Sequence, residues 1–451
     1  MEPLQRLSRR RFVALSSALL ATGCSGAGAV SLGDARRELR VAVVSNPQMK
    51  DMQRLVDEFE RLHPELRVRF VTLPENQARD KITQSVATES GQFDVVMVSN
   101  YETPIWAANG WLLDLEPHIR ATPGYDPQDV LPPIRSSLTY RGRMHAAPFY
   151  GEGSLLMYRK DLFAQAGLRM PPRPSWREVA DLAARLDDRA AGRSGICLRG
   201  LPGWGEVMAP LNTVLNAFGG RWFDPGWNAQ LTSPEVRAGV GFYVDLVRRH
   251  GQPGASGHGF TECLTQFSQG DSAMLYDATS AAGTLEDPSD SAVAGRIGYV
   301  PAPTGPARKS SWLYSWALAI PTTAERPQDA WAFVAWATSK EYVRTVARRI
   351  GWQNLPPGSR SSTYEHPEYQ RAAGGFAGPS LEAISTADQD HPTAAPAPYV
   401  GLQFLRIPEF VDVGTLVSQQ VSAAIAGSKS VDEALEQCQR YAESVGEAYR
   451  R

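Results

Sequence analysis

Between positions 39 and 109 the apolar residues fall into two alternating patterns, short continuous runs and stretches with a helical repeat. Leu39-Arg40-Val41-Ala42-Val43-Val44-Ser45 reads as a buried strand. Asp51 could cap a helix that carries Met52, Leu55, Val56, Phe59 and Leu62 on one face and is stopped by Pro64. Leu66 to Leu73 reads as a second strand, 77–88 as a helix, Phe93 to Val98 as a third strand and 102–109 as a short helix. This βαβαβ order predicts a parallel sheet with helices on both faces. Sheets of that kind bind ligands at the carboxyl ends of their strands. Here those ends are Ser45-Asn46-Pro47-Gln48, Pro74-Glu75-Asn76 and Ser99-Asn100-Tyr101-Glu102, all polar.

A second unit is expected after Ala146-Ala147-Pro148-Phe149-Tyr150-Gly151-Glu152. Ser175 and Glu178 form a capping-box pattern ahead of Val179, Leu182 and Leu186, and Ser430 with Glu433 repeats it before the last helix. Ser233-Pro234 supplies an N-cap and a first-turn proline before Val236, Val240, Tyr243, Val244 and Val247. The Ile196-Cys197-Leu198 run and Ala273 to Tyr276 read as strands, ending in Arg199 and Asp277. Pro301 to Pro306 breaks the pattern, a strand returns over Trp312 to Ile320, and a helix follows near 327–339 with Trp331 and Trp336 on its core face. Residues 353–398, rich in Pro, Ser and Gly, are expected to be mostly loop with short helices. No repeat of solenoid length is present.

The N-terminus changes the picture by assigning a compartment. Ser8-Arg9-Arg10-Arg11-Phe12-Val13 has the form of a twin-arginine export signal, and Ala21-Thr22-Gly23-Cys24 that of a lipobox, with Ala21 where Leu is usual. The apolar stretch from Phe12 to Leu20 falls well short of the roughly 20 residues a membrane span needs. Residues 1–23 are therefore read as a cleaved twin-arginine lipoprotein signal peptide, Cys24 as the lipidated N-terminus, and 24–37 as a flexible tether. The expected location is the outer face of the cytoplasmic membrane. Without residues 1–23, which hold four Arg and one Glu, the chain keeps 42 basic and 47 acidic residues, a formal charge of −5. That balance lacks the basic field of a nucleic-acid binder. The remaining cysteines, Cys197, Cys263 and Cys438, allow at most one disulfide, with no pair singled out by spacing.

Hydrolytic chemistry lacks its usual marks. The seven histidines include no HExxH pair and none lies near Cys at zinc spacing, and neither a GxSxG elbow nor a GxxxxGK[ST] loop occurs. No metal or cofactor is predicted. Instead, aromatic residues stand beside charged ones on predicted loops: Tyr101-Glu102, Tyr150-Gly151-Glu152, Arg199 with Trp204-Gly205-Glu206, Arg221-Trp222, Tyr276-Asp277, Trp312 to Trp316 and Gly351-Trp352-Gln353-Asn354. Sugar-like ligands ask for this mixture, because hydroxyls both donate and accept while C–H surfaces pack on flat rings. Many of the tryptophans belong equally well to a core, and Glu206 could serve as a structural ion-pair partner of Arg199 or Arg221.

Among the longer stretches are Gly91-Gln92-Phe93-Asp94-Val95, Tyr101-Glu102-Thr103-Pro104-Ile105-Trp106, Gly203-Trp204-Gly205-Glu206, Ser315-Trp316-Ala317-Leu318-Ala319-Ile320-Pro321 and Pro398-Tyr399-Val400-Gly401. With these the chain resembles the extracytoplasmic solute-binding proteins of ABC importers, within the sugar-binding group and nearest to sorbitol/mannitol (polyol) binding proteins. The resemblance implies an α/β, two-lobed periplasmic-binding-protein-like fold, each lobe a doubly wound sheet with flanking helices, and a ligand cleft between the lobes. By analogy lobe 1 comprises residues 38–149 and 299–343, and lobe 2 comprises 150–298 and 344–451. Ligand contacts carried over are Asn46, Glu75, Tyr101, Glu152, Arg199, Trp204, Asp277, Trp316, Trp352 and Gln403. Where the family would place an Asn-Asn-Gly-Asp-like turn, this chain has Ser45-Asn46-Pro47-Gln48 and no acid. The implied protein is a monomeric, non-catalytic lipoprotein that captures a polyol or sugar by lobe closure and delivers it to a membrane permease. Its alternatives are a ligand that is another carbohydrate or a glycerol-phosphate derivative, an exported glycoside hydrolase using Glu152 with Asp277 or Glu206, and a scaffolding lipoprotein.

Overall fold

The computed structural model describes residues 36–308 and 312–451. The signal peptide expected over 1–23, Cys24 and nearly all of the tether expected over 24–37 lie outside them. Among the described residues, besides a small hairpin of Thr139–Tyr140 and Arg143–Met144, eight strands make the two main sheets. In chain order they are β1 (Arg37–Val44), β2 (Leu66–Leu73), β3 (Val95–Ser99), β4 (Ala147–Glu152), β5 (Ser154–Arg159), β6 (Met274–Ala278), β7 (Ile297–Pro301) and β8 (Tyr314–Ala319). The first sheet has the order β2-β1-β3-β8-β4, the second β6-β5-β7. β1 runs parallel to β2 and β3, as the βαβαβ pattern predicts, whereas β8 is antiparallel to both of its neighbours. All five residues of β3 are buried, which matches a strand covered on both faces. In the second sheet β5 pairs antiparallel with β6 and with β7.

The chain passes from the first sheet to the second at Gly153, between β4 and β5, and returns between β7 and β8. A Cβ at Gly153 would lie 2.6 Å from the Cβ of Ala383, so this crossing admits no side chain. Residues 150–152, which the analogy gives to lobe 2, pair with β8 in the first sheet. Residues 299–301, given to lobe 1, pair with β5 in the second.

Local signals fix several helix starts. Ser175 and Ser430 form complete capping boxes, and Ser233 accepts from the Val236 N–H with Pro234 in the first turn. The helix expected from Asp51 starts earlier, as α1 (Pro47–Arg54). Asn46 caps it by accepting from the Met49 N–H, and Pro47 fits the first turn, where no amide donor is needed. It also breaks at Leu55 and resumes as α2 (Val56–Leu62), so Leu62 turns outward and is 55% exposed. α3 (Glu75–Ala87) begins two residues before the expected position, directly after Pro74. The run Ile196 to Leu198 forms no strand and contributes an isolated bridge from Cys197 to Leu275. The region 353–398 carries three short helices, Ser361–Glu365, Pro367–Ala372 and Ala377–Ser385. Trp331 and Trp336 are core residues, and Cys197, Cys263 and Cys438 are buried free thiols.

Candidate ligand-binding site

Strand ends of the first sheet and loops beside the second line a partly open cavity. Six of the residues expected to touch ligand line it: Asn46, Glu75, Glu152, Arg199, Trp316 and Gln403. Asn46 follows β1. Its Oδ1 caps α1 at 2.9 Å, and its Nδ2 donates to the Tyr150 hydroxyl at 3.0 Å. Glu75 opens α3 after β2, and Glu152 ends β4. Gln403 is clamped by the backbone of Leu313, donating to its carbonyl at 3.0 Å and accepting from its N–H at 3.3 Å.

Two buried guanidiniums organise the charges. Arg79 lies one turn after Glu75 on α3. Its Nε and Nη2 donate to Glu75 Oε1 at 3.0 and 2.9 Å, and Nη1 donates to Glu102 Oε1 at 2.5 Å. Nη2 also donates to the Tyr314 hydroxyl. The guanidinium carbon lies 4.1 Å from the ring centre of Trp204 and 4.5 Å from that of Trp316, within cation–π range of both. Arg199 grips Asp277 with two bonds, Nε to Oδ2 at 2.9 Å and Nη2 to Oδ1 at 2.5 Å. Its Nη1 donates to the Gly205 carbonyl at 3.3 Å and lies 3.5 Å from Glu206 Oε2. Of the two roles open to Glu206, the ion pair with Arg199 is present.

Against these two cations stand five carboxyl groups: Glu75, Glu102, Glu152, Glu206 and Asp277. Burial pushes the Glu152 carboxyl up to about 8, beyond what the Ser280 hydrogen bond (2.5 Å) and Arg199 counteract. Burial, then the Glu75 carboxylate, pushes Glu206 up as well. The phenols of Tyr150 and Tyr314 are likewise held well above their ordinary range by burial, so both keep their protons.

The other four expected contacts lie elsewhere. Asp277 sits behind Arg199, where Oδ1 also accepts from the Ala278 N–H at 2.7 Å. Trp204 is covered by Arg79, Tyr101 and Phe404 and buttresses the wall from outside. Tyr101 packs on Trp204 at 4.9 Å and donates to the Ile407 carbonyl at 2.8 Å. Trp352 belongs to the 3₁₀ turn Trp352–Asn354, its ring 5.3 Å from that of His366, because Gly351 (φ 145°) turns the chain there. Sequence reasoning passed over the cavity residues Phe260 and Ser280 and the central role of Arg79. A signal for Arg79 existed in its i,i+4 spacing from Glu75, but that pattern usually marks a solvated pair.

Residues 45–344 match the family described as bacterial extracellular solute-binding protein. The chain is 44% identical over 424 residues to a mannitol-binding protein of Pseudomonas aeruginosa, covering 94% of this chain and 96% of that protein. Among solved structures, an ABC transporter solute-binding protein of Agrobacterium vitis with bound D-mannitol aligns with a TM-score of 0.90 at 46% identity, covering 91% of this chain and 99% of the other. A ribitol complex of a solute-binding protein from Agrobacterium radiobacter aligns at 0.80 with 23% identity, covering 90% and 98%, a likeness of fold alone.

Proposed function

The chain belongs to the bacterial extracellular solute-binding protein family, and from that premise we propose that it captures an acyclic polyol of the mannitol/sorbitol type for an ABC importer. The observation that carries this reading is a polar, aromatic-walled cavity with both guanidiniums already bound to carboxylates. Such a site offers hydroxyl ligands many acceptors and offers an anion no uncommitted cation. A phosphate would want free arginines or a helix N-terminus. At α3 that N-terminus already faces Glu75. Neutral polyols therefore fit better than a glycerol-phosphate derivative. The hydrolase alternative fares worse still, because Asp277 has both oxygens engaged by Arg199 and takes no part in lining the cavity.

The two lobes are assigned by sheet, with crossings at Gly153 and between Pro301 and Tyr314. Hydrogen bonds join them directly: Gln48 Nε2 to the Ser280 carbonyl at 3.0 Å, and Asn76 Nδ2 to the Pro202 carbonyl at 3.0 Å. Residues 37–451 form one compact unit, as a closed clamshell would. Ligand touching both faces favours that state over an open one. Gly205 is a tight point of approach, since a Cβ there would lie 2.3 Å from Glu75 Oε1, an oxygen held in place by two bonds from Arg79. Gly205→Ala is therefore expected to hold the lobes apart and weaken D-mannitol binding at least tenfold. Small-angle scattering should then show no contraction on adding ligand, and contraction equal to that of the parent protein would contradict the assignment.

The anchor is a lipid on Cys24 after twin-arginine export, and the protein works as a monomer that hands its ligand, chemically unchanged, to a permease. Calorimetry of the exported protein tests the central reading. D-mannitol or D-sorbitol should bind one to one, with no heat from glycerol 3-phosphate and no turnover of aryl glycosides. Binding of the phosphate in preference to both hexitols would reject it.

A further inference from the structure

We infer that the indole N–H of Trp312 is a ligand-directed donor in this cavity and hydrogen-bonds a hydroxyl oxygen of the bound polyol. The inference rests on the polyol reading above and adds a specificity residue to it. Trp312 lines the cavity and is 1% exposed, and its Nε1 has no hydrogen-bond partner. A buried N–H without an acceptor loses its water and gains nothing in return. Among the described residues with a buried, unpartnered side-chain atom, Trp312 is the one that lines this cavity. The others, such as Gln48 Oε1 and Tyr342 Oη, lie outside it.

The surrounding groups explain why such a donor would matter. Asn46 has its oxygen on the Met49 N–H and an amide hydrogen on Tyr150. Both ends of the Gln403 amide are held by Leu313, and Arg199 is held by Asp277, Glu206 and Gly205. What remains toward the cavity is rich in acceptors, the carboxyl groups of Glu75 and Glu152, beside the phenols of Tyr150 and Tyr314, which accept from Asn46 and Arg79 and keep one O–H each to donate. A polyol hydroxyl that donates to one of these still has lone pairs on its oxygen, and only a donor can satisfy them. Trp312 is well placed for this because its neighbour is pinned: the Leu313 carbonyl also accepts from Asn100 Nδ2 at 3.2 Å. Its ring is set by Tyr276, at 6.1 Å between centroids, and by Arg199, 5.9 Å from the ring centre.

The test uses the full exported protein labelled with [¹⁵N-indole]tryptophan, and D-mannitol as the probe. The Trp312 indole resonance, identified by its absence in Trp312→Phe, is expected to move downfield at saturation and to exchange more slowly with solvent. In calorimetry Trp312→Phe is expected to raise the Kd for D-mannitol at least tenfold. Should the Phe variant not fold, Trp312→Tyr serves for the assignment, and the chemical shift and exchange of the unsubstituted protein decide alone. A Trp312 resonance unmoved at saturation, or a Kd within twofold of the parent in a folded variant, would overturn the inference. Absence of any hexitol binding by the unsubstituted protein would instead overturn the polyol reading, and this inference with it.

Discussion

Replacing Arg199 by Met is expected to lower the free energy of unfolding by about 3–5 kcal/mol and to abolish capture of D-mannitol. Arg199 is buried between Asp277, Glu206 and the Gly205 carbonyl. Its removal leaves two buried acids without their cation, and breaking one side of a buried pair typically costs that much. Loss of binding follows separately, because Arg199 lines the cavity and its bond to the Gly205 carbonyl fixes the loop that meets Glu75. Arg199→Lys should be intermediate, as an ammonium keeps the charge but cannot make the two-pronged contact with Asp277. Urea unfolding and calorimetry on the three proteins check this. A stability loss below about 1 kcal/mol for Arg199→Met would show that the pair contributes little.

Substituting Gln for Glu152 is expected to do the reverse and stabilise the ligand-free protein in mildly alkaline solution by about 4 kcal/mol. The carboxyl is held up at about 8, from an ordinary value of 4.5, chiefly by burial. A group whose folded value is raised favours the fold fully below its unfolded value. That contribution is lost as pH rises through the folded value. The native protein should therefore lose stability progressively between pH 4.5 and 8 on account of this one group. Gln keeps an oxygen acceptor for the Ser280 hydroxyl but has no proton to lose. Denaturation curves collected at half-unit intervals from pH 5 to 8 should show a shallower profile for Glu152→Gln, the slope that remains coming from Glu206, which burial also raises. Identical pH slopes for the two proteins would remove Glu152 as a buried acid.

The fold was legible where local chemistry decides it. Continuous apolar runs gave β1 and β3, alternation with Arg67 and Arg69 gave β2, and Ser175, Ser233 and Ser430 announced their helices, because caps and period need only a few neighbouring residues. Asp51 misled because a polar residue one turn inside a helix looks like a cap when the Asn-Pro pair before it is read as a turn. At the site, the rule of polar residues at strand ends found Asn46, Glu75 and Glu152. The resemblance to polyol-binding proteins added Gln403. The family and the two-lobed α/β fold inferred from that resemblance are those of the relatives found. What sequence could not show was which aromatic rings face the cavity. Trp204 and Trp316 both meet Arg79, yet only Trp316 also lines the wall. That difference is set by Tyr101 and Phe404, remote in sequence from both. Burial of Arg79 is equally non-local: Glu75 lies one turn away, but Glu102 and Tyr314 come from other strand ends.

The internal neutralisation of both arginines has a consequence for retargeting this scaffold. To make it a sensor for a sugar acid, a new cation would be the wrong tool, since any Lys or Arg placed here meets a surplus of carboxyls. The shorter route is subtraction. Glu206→Gln would remove one of the partners of Arg199 while sparing its double contact with Asp277, leaving one edge of an existing guanidinium to greet an incoming carboxylate.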